Sequence, residues 1–162
     1  IYYEIIRQKT ASLIAACCES GALSANASET DVQKMARFGE LVGMAFQIKD
    51  DLFDFGVTSE IGKPVGIDIQ ERKMTLPLIH TLTKVDASER RELLRIVRKF
   101  NTNREKVQYL MGRVEAQGGI AYAWKRMIAF RDEAIEILES FPETQARNSL
   151  QLLVNYTIER NK

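Results

Sequence analysis

Three aspartates, Asp50, Asp51 and Asp54, are the residues of this sequence best suited to chemistry. On a helix, Asp50 and Asp54 lie one above the other at i and i+4, and Asp51 is rotated from them by about 100°. Like charges at this spacing repel each other, and the neighbouring apolar Leu52 and Phe53 argue against a plainly solvated face. A cation shared by the carboxylates would remove the repulsion. Mg²⁺ suits this arrangement, because it binds one or two carboxylates and completes its octahedron with water and phosphate oxygens. A solvated acidic helix end is the alternative interpretation of these three residues taken alone.

A glycine-rich loop with two lysines follows the aspartates. Lys63 lies between Gly62 and Gly66, and Lys73 comes shortly before Pro77. Glycine lets the backbone approach a ligand closely, and lysine supplies a point charge that binds phosphate. The loop therefore favours a phosphate-binding role beside the carboxylates.

Lys9 and Thr10 form a polar pair that interrupts the first helical stretch. Apolar residues flank the pair at Ile6 and Leu13. An ammonium and a hydroxyl group in this place would complete a clamp on a phosphate group. A lysine that extends along the helix surface to reach water is the alternative interpretation.

Helical periodicity predicts the elements that must hold these residues, and no alternating stretch of strand length competes with it. The sequence is therefore predicted to be all-α and to form a single domain over residues 1–162. A loop rich in helix breakers is predicted over residues 57–72. The predicted helices cover residues 2–22, 31–55, 74–85, 88–100, 104–117, 119–140 and 142–162.

Composition excludes several classes of protein. The charges nearly cancel, with 23 Lys plus Arg against 22 Asp plus Glu, so no overall basic field attracts nucleic acid or an anionic membrane. The single histidine, His80, argues against histidine-rich zinc sites, His-bearing di-iron bundles and Ser-His-Asp triads. Cys17 and Cys18 are adjacent, which disfavours a disulfide between them and favours a reducing, cytoplasmic setting.

In combination, these motifs resemble the C-terminal half of the trans-polyprenyl diphosphate synthases, such as the octaprenyl and other long-chain members. The resemblance is strongest over residues 43–80 and continues as helical pattern beyond Ala87. The residues that carry it are Lys9-Thr10, Phe46-Gln47-x-x-Asp50-Asp51-x-x-Asp54, Gly62-Lys63-x-x-Gly66-x-Asp68 and Lys73-x-Thr75-Leu76-Pro77.

The resemblance implies an antiparallel helix bundle of the isoprenoid synthase type around a deep cavity, of which this chain holds an incomplete C-terminal portion. Asp50, Asp51 and Asp54 would be the second Asp-rich motif of that family, which holds Mg²⁺. Phe46 would line the substrate pocket near the reacting carbons. The residues matched to contacts with the diphosphate of the allylic substrate are Lys9, Thr10, Gln47, Lys63 and Lys73, and Asp68 matches a further family position. Among these, the resemblance gives catalytic roles to Lys9, Thr10, Lys63 and Lys73.

The implied reaction condenses isopentenyl diphosphate with an allylic diphosphate and releases pyrophosphate. The allylic diphosphate ionises to a carbocation, which the double bond of isopentenyl diphosphate attacks. Because the barrier is mainly charge separation, metals and lysines placed in advance would stabilise the leaving pyrophosphate. An aromatic face such as that of Phe46 would stabilise the cation. In the family, pyrophosphate is thought to take the final proton, which agrees with a chain that has one histidine.

One part of the family pattern is missing from this sequence. The first Asp-rich motif and the basic residues that grip isopentenyl diphosphate lie in the family's N-terminal half, and neither is found here. The chain begins at Ile1 inside a helical pattern, so we interpret it as part of a longer protein whose N-terminal half completes the site. We expect a homodimer with no nucleic-acid partner, and no prenyl transfer by this chain alone.

Two other functions stay open. The chain could be a non-catalytic subunit that binds and regulates a complete synthase, or another Mg²⁺–diphosphate helical enzyme such as a terpene cyclase. The aspartates together with Lys63 and Lys73 argue against a purely structural subunit. The run from Lys73 to Pro77 favours the chain-elongating branch over the cyclases.

Overall fold

The computed structural model describes residues 1–56 and 65–159, and within these ranges the secondary structure is helical with no strand. The all-α prediction is therefore confirmed. The helices are α1 (Tyr2–Ile6), α2 (Ser12–Ser24), α3 (Glu29–Phe53), α4 (Ile67–Gln70), α5 (Leu76–Lys84), α6 (Ala87–Lys99), α7 (Arg104–Ala116), α8 (Gly119–Glu139) and α9 (Gln145–Glu159). A π-helical turn, Arg7–Ala11, joins α1 to α2.

Capping residues explain where several helices begin. Asp86 accepts hydrogen bonds from the backbone N–H groups of Ser88 and Glu89 at the start of α6, and Asn103 accepts one from Lys106 at the start of α7. The last helix begins at Gln145 rather than at Pro142 as predicted, because the hydroxyl of Thr144 accepts from the N–H of Arg147 and sets the first turn there.

The described residues divide into two compact units. The first unit comprises residues 1–49 and 126–159, and the second comprises residues 50–56 and 65–125. Both α3 and α8 contribute residues to each unit. That the whole chain forms a single domain stays a prediction.

In the first unit, α3 lies very close to the chain around Ala11. A Cβ atom added to Gly43 would lie 2.5 Å from Cα of Ala11, and one added to Gly39 would lie 2.7 Å from the carbonyl oxygen of Ile14. Only glycine therefore permits this separation of the two backbones. Most of α3 beyond Arg37 is buried, and the buried apolar residues of the helix in this unit are Val32, Phe38, Leu41, Met44, Ala45 and Ile48.

The second unit has its own apolar core, built from the start of α4 to the end of α7 together with Phe55. Leu82, Met111 and Ile120 pack against it. The buried members of this core are Phe55, Ile69, Leu78, Val85, Leu93, Ile96, Val97, Val107, Leu110 and Val114.

Across the described parts of the chain, no helix combines the length and apolar character needed to cross a membrane.

The close approach at Gly43 predicts a large difference between two glycine substitutions. We expect Gly43→Ala to lower the free energy of unfolding by about 1–3 kcal/mol, because the new methyl group meets the backbone of Ala11 and the helices must move apart. Gly21→Ala is the matched control, since Gly21 is also helical but has open space around it. We expect it to stabilise the chain by about 0.5–1 kcal/mol. Equal effects in urea denaturation would contradict the close packing.

The cap at Asp86 predicts a dependence of stability on pH. The two backbone N–H groups hold the pKa of the Asp86 carboxyl below its ordinary value of 3.8. The stabilisation by the ionised cap is therefore complete above that ordinary value and is lost as the pH falls through the lower pKa of the folded state. We expect the difference in melting temperature between the wild type and Asp86→Ala to shrink below pH 4. Asp86→Asn keeps a capping oxygen but does not titrate, so its advantage over the alanine variant should not change with pH.

Candidate functional site

The three aspartates of the motif lie at the end of α3 in very different surroundings. Asp50 is exposed, Asp51 is only 7% exposed, and Asp54 is half-buried just beyond the last residue of the helix. The helix therefore positions Asp50 and Asp51, whereas Asp54 belongs to the turn that follows.

Asp54 accepts hydrogen bonds from three successive backbone N–H groups. The N–H of Gly66 donates to the carbonyl oxygen of Asp54 at 2.9 Å. The N–H groups of Ile67 and Asp68 donate to Oδ1 and Oδ2 at 2.7 and 3.1 Å. Burial raises the pKa of the Asp54 carboxyl, and the negative charge of Asp68 acts in the same direction, against the effect of the two N–H groups.

Gly66 has the backbone conformation that lets these N–H groups point the same way. Its φ is 80°, in the left-handed region that glycine adopts without strain. A Cβ at this position would also lie 2.9 Å from Cγ1 of Val107. In the structure this conformation brings the backbone of Gly66 to Asp54. That the glycine also lets a ligand approach the backbone stays a prediction.

Asp51 lies against the start of α5. Its Oδ2 is 3.4 Å from the backbone nitrogen of Leu76, a long hydrogen bond. The preceding residue, Thr75, is 3% exposed, and its hydroxyl has no hydrogen-bond partner in the described structure. A buried hydroxyl and a buried carboxylate therefore both belong to the start of α5 and its immediate surroundings, in the second unit.

Lys73 is held by two carboxylates. Its Nζ lies 2.9 Å from Oδ1 of Asp68 and 2.6 Å from Oε2 of Glu71, and its backbone N–H donates to the carbonyl of Asp68 at 2.8 Å. Hydrogen bonds to Glu71 and Asp68 raise the pKa of the Lys73 ammonium above its ordinary value. The other lysine predicted for this loop, Lys63, lies outside the described residues.

The remaining predicted site residues belong to the first unit. Thr10 lies in the π-helical turn, and its hydroxyl donates to Oε1 of Gln47 on α3 at 2.9 Å. Gln47 is 9% exposed and Phe46 is half-buried, whereas Lys9 is exposed. The π-helical turn is the interruption that the polar pair suggested, and such turns are frequent at functional sites.

The structure thus brings the predicted residues together in two groups. Thr10 meets Gln47 in the first unit, and Asp54, Asp68 and Lys73 are connected in the second. From the sequence we also expect Lys9, Gln47 and Asp50 to face one common cavity, and this stays a prediction.

Sequence reasoning missed two buried polar residues beside the motif. Lys49, directly before Asp50, is 1% exposed, and Thr75 is almost as deeply buried. For Lys49 a signal was available in the sequence, since this lysine directly follows the apolar Ile48 on a helix that ends in aspartates. No pattern in the sequence distinguishes Thr75 from an ordinary helix-capping threonine.

The donor chemistry of the motif fits Mg²⁺. Carboxylate oxygens are its preferred protein ligands, and one or two of them suffice when water and phosphate oxygens complete the shell. Asp50 and Asp51 are consecutive residues near the end of α3, and the side chain of Asp50 is open to solvent. In residues 1–56 and 65–159, no group of three or more Asp, Glu, His or Cys side chains is arranged as a metal site.

Comparisons with known proteins identify relatives of this chain. Residues 1–114 match the family model for polyprenyl synthetase. The chain is 34% identical over 161 residues to heptaprenyl diphosphate synthase component 2 of Geobacillus stearothermophilus, covering 99% of this chain and 49% of that protein. It is also 34% identical over 160 residues to a short chain isoprenyl diphosphate synthase of Methanothermobacter thermautotrophicus, covering 98% of this chain and 49% of that protein.

Solved structures show the same fold. A decaprenyl diphosphate synthase from Rhodobacter capsulatus matches with a TM-score of 0.91 and 34% identity over 99% of this chain and 50% of that one. A polyprenyl synthase from Caulobacter crescentus, complexed with calcium and isoprenyl diphosphate, matches with a TM-score of 0.87 and 29% identity over 99% of this chain and 49% of that one. The chain spans about half the length of the curated relatives it matches. Because the polyprenyl synthetase model matches residues 1–114, which is most of the chain, the chain belongs to the polyprenyl synthetase family.

Proposed function

We propose that this chain carries the C-terminal half of a Mg²⁺-dependent polyprenyl diphosphate synthase, which condenses isopentenyl diphosphate with an allylic diphosphate. The observation that carries the proposal is the end of α3. There a buried glutamine, Gln47, held by Thr10, is followed within one helical turn by the carboxylates of Asp50 and Asp51. Family membership and the solved relative complexed with calcium and isoprenyl diphosphate support this assignment.

Within the proposal, Asp50 and Asp51 hold the metal, and Asp54 completes the motif. The bound Mg²⁺ supplies positive charge that stabilises the departing pyrophosphate. Asp50 is the exposed carboxylate of the pair, and Asp51 is fixed by its burial and its contact with the N–H of Leu76. A carboxylate fixed before the substrate arrives does not have to reorganise during ionisation.

The lysines and the polar pair bind the diphosphate. The exposed ammonium group of Lys9 lies in the turn next to Thr10, and Lys73 and Lys63 supply further positive charge. Thr10 and Gln47 orient each other through their hydrogen bond, so one of them can present a fixed donor to a phosphate oxygen. Phe46, half-buried on α3, lines the pocket for the allylic chain.

The single histidine is not required by this reaction. His80 stacks on Tyr122 with ring centroids 4.1 Å apart, and burial together with the charge of Lys84 lowers its pKa. Its position in an aromatic stack agrees with a structural role. In the proposed reaction the departing pyrophosphate accepts the proton lost from the condensed product.

We propose that the other half of the site comes from additional polypeptide, since the chain spans about half the length of its relatives. We propose an N-terminal half with the first Asp-rich motif, in a cytoplasmic homodimer. The relative named component 2 of a heptaprenyl diphosphate synthase favours a second arrangement, in which the chain is one component of a synthase with two different subunits.

We expect the 162-residue chain, made alone, to show no measurable prenyl transfer and at best weak affinity for Mg²⁺ and pyrophosphate. Groups that act as a unit lose most of their rate enhancement when part of the unit is removed. The measurement is turnover of an allylic diphosphate with isopentenyl diphosphate, beside the full-length enzyme as the positive control. Turnover by the isolated chain would mean that it holds a complete site.

In the full-length enzyme, we expect Asp50→Ala to lower kcat by about 10²-fold or more, and by more than Asp54→Ala does. The loss corresponds to the removal of one group placed in advance against a developing charge. We expect the melting temperature of Asp50→Ala to be no lower than that of the wild type, because the substitution also removes the repulsion between Asp50 and Asp54.

Phe38→Ala is the control for this comparison. Phe38 is 3% exposed in the core of the first unit, so its truncation should cost about 3–5 kcal/mol of stability. The measurements are steady-state rates at saturating Mg²⁺ and thermal melts of Asp50→Ala, Asp54→Ala and Phe38→Ala. An Asp50→Ala enzyme with near-normal activity and a sharply lower melting temperature would show that the motif is structural.

A further inference from the structure

The backbone N–H groups of Gly66, Ile67 and Asp68 all donate to one residue, Asp54. Such a convergence of successive N–H groups concentrates positive partial charge on the side where they meet. An ionised carboxylate is well suited to this place, because hydrogen bonds to a charged acceptor are roughly twice as strong as neutral ones. Asp54 therefore fixes the first turn of α4 from outside that helix.

The first turn of α4 holds the ammonium group of Lys73 together with Glu71, whose carboxylate lies 2.6 Å from Nζ. The carboxylate of Asp68 receives Nζ of Lys73, and the carbonyl of Asp68 receives its backbone N–H. Asp68 is thus bound through its N–H to Asp54 and through both of its oxygen-bearing groups to Lys73. A connected path of hydrogen bonds runs from Asp54 through Asp68 to Lys73.

We propose that Asp54 is a positioning residue, which places Lys73 for the diphosphate through the first turn of α4, rather than a ligand of the metal. The inference rests on the proposed function of the site. Both oxygens of the Asp54 side chain are turned to backbone N–H groups, whereas Asp50 is exposed. The three aspartates then have two roles, with Asp50 and Asp51 acting on the metal and Asp54 on the lysine.

The first test uses the 162-residue chain without metal or substrate. We expect Asp54→Ala to speed amide hydrogen exchange at Ile67 and Asp68 by about tenfold or more, and to shift the ¹⁵Nζ resonance of Lys73. Asp50→Ala is the matched control and should leave both signals as in the wild type. Should the alanine variant unfold, Asp54→Asn, which keeps one acceptor oxygen, should still lose part of the protection at one of the two amides. Unchanged exchange in the Asp54 variants would overturn the proposal.

The second test uses the full-length enzyme and separates metal from diphosphate. We expect Asp50→Asn to raise the Mg²⁺ concentration for half-maximal activity by about tenfold or more, whereas Asp54→Asn should leave it within about twofold and raise KM for the allylic diphosphate instead. In a Lys73→Ala background, Asp54→Asn should have little further effect on that KM, because both changes remove one interaction. Independent effects of Asp54 and Lys73 on KM would also overturn the proposal.

The two tests fail in different ways. A raised Mg²⁺ requirement in Asp54→Asn equal to that in Asp50→Asn would make Asp54 a metal ligand and refute the positioning role. A full-length enzyme with no prenyl transfer would refute the proposed function, and the exchange measurements on the chain would still decide whether Asp54 holds the turn.

Discussion

The absence of side chains at Gly39 and Gly43 controls how the first unit is built. With hydrogen atoms in place of Cβ, α3 approaches the backbone around Ala11 more closely than any other residue would allow. This separation lets a short side chain, Thr10, reach Gln47 across the interface at 2.9 Å. A wider spacing would leave the nearly buried Gln47 without this partner, at the cost of an unmet hydrogen bond.

In the second unit, negative charge is distributed by giving each carboxylate a different partner. Asp54 faces backbone N–H groups, Asp68 faces the ammonium of Lys73, and Asp51 lies near the N–H of Leu76. Asp50 is exposed to solvent. Three carboxylates that would repel one another as a bare cluster are thereby held by separate partners, and in the proposed function the exposed Asp50 meets the cation.

The two units contribute different chemistry to the proposed reaction. The first supplies an orienting pair, Thr10 and Gln47, and the exposed Lys9, whereas the second supplies carboxylates and the ordered Lys73. Helix α3 contains residues of both groups, since Gln47 and Asp50 lie within one turn of each other along it.

The sequence alone determined the helical class, the approximate bounds of the helices and the identity of the family, because 3.6-residue periodicity and the spacing of Asp50, Asp51 and Asp54 are local properties of the chain. It also indicated the interruption at Lys9 and Thr10. Only the tertiary structure decided that Asp54 faces the N–H groups of residues 66–68 and that Lys49 and Thr75 are buried. Those contacts join residues far apart in sequence, and burial and hydrogen-bond partners across such distances leave no periodic trace in the order of amino acids.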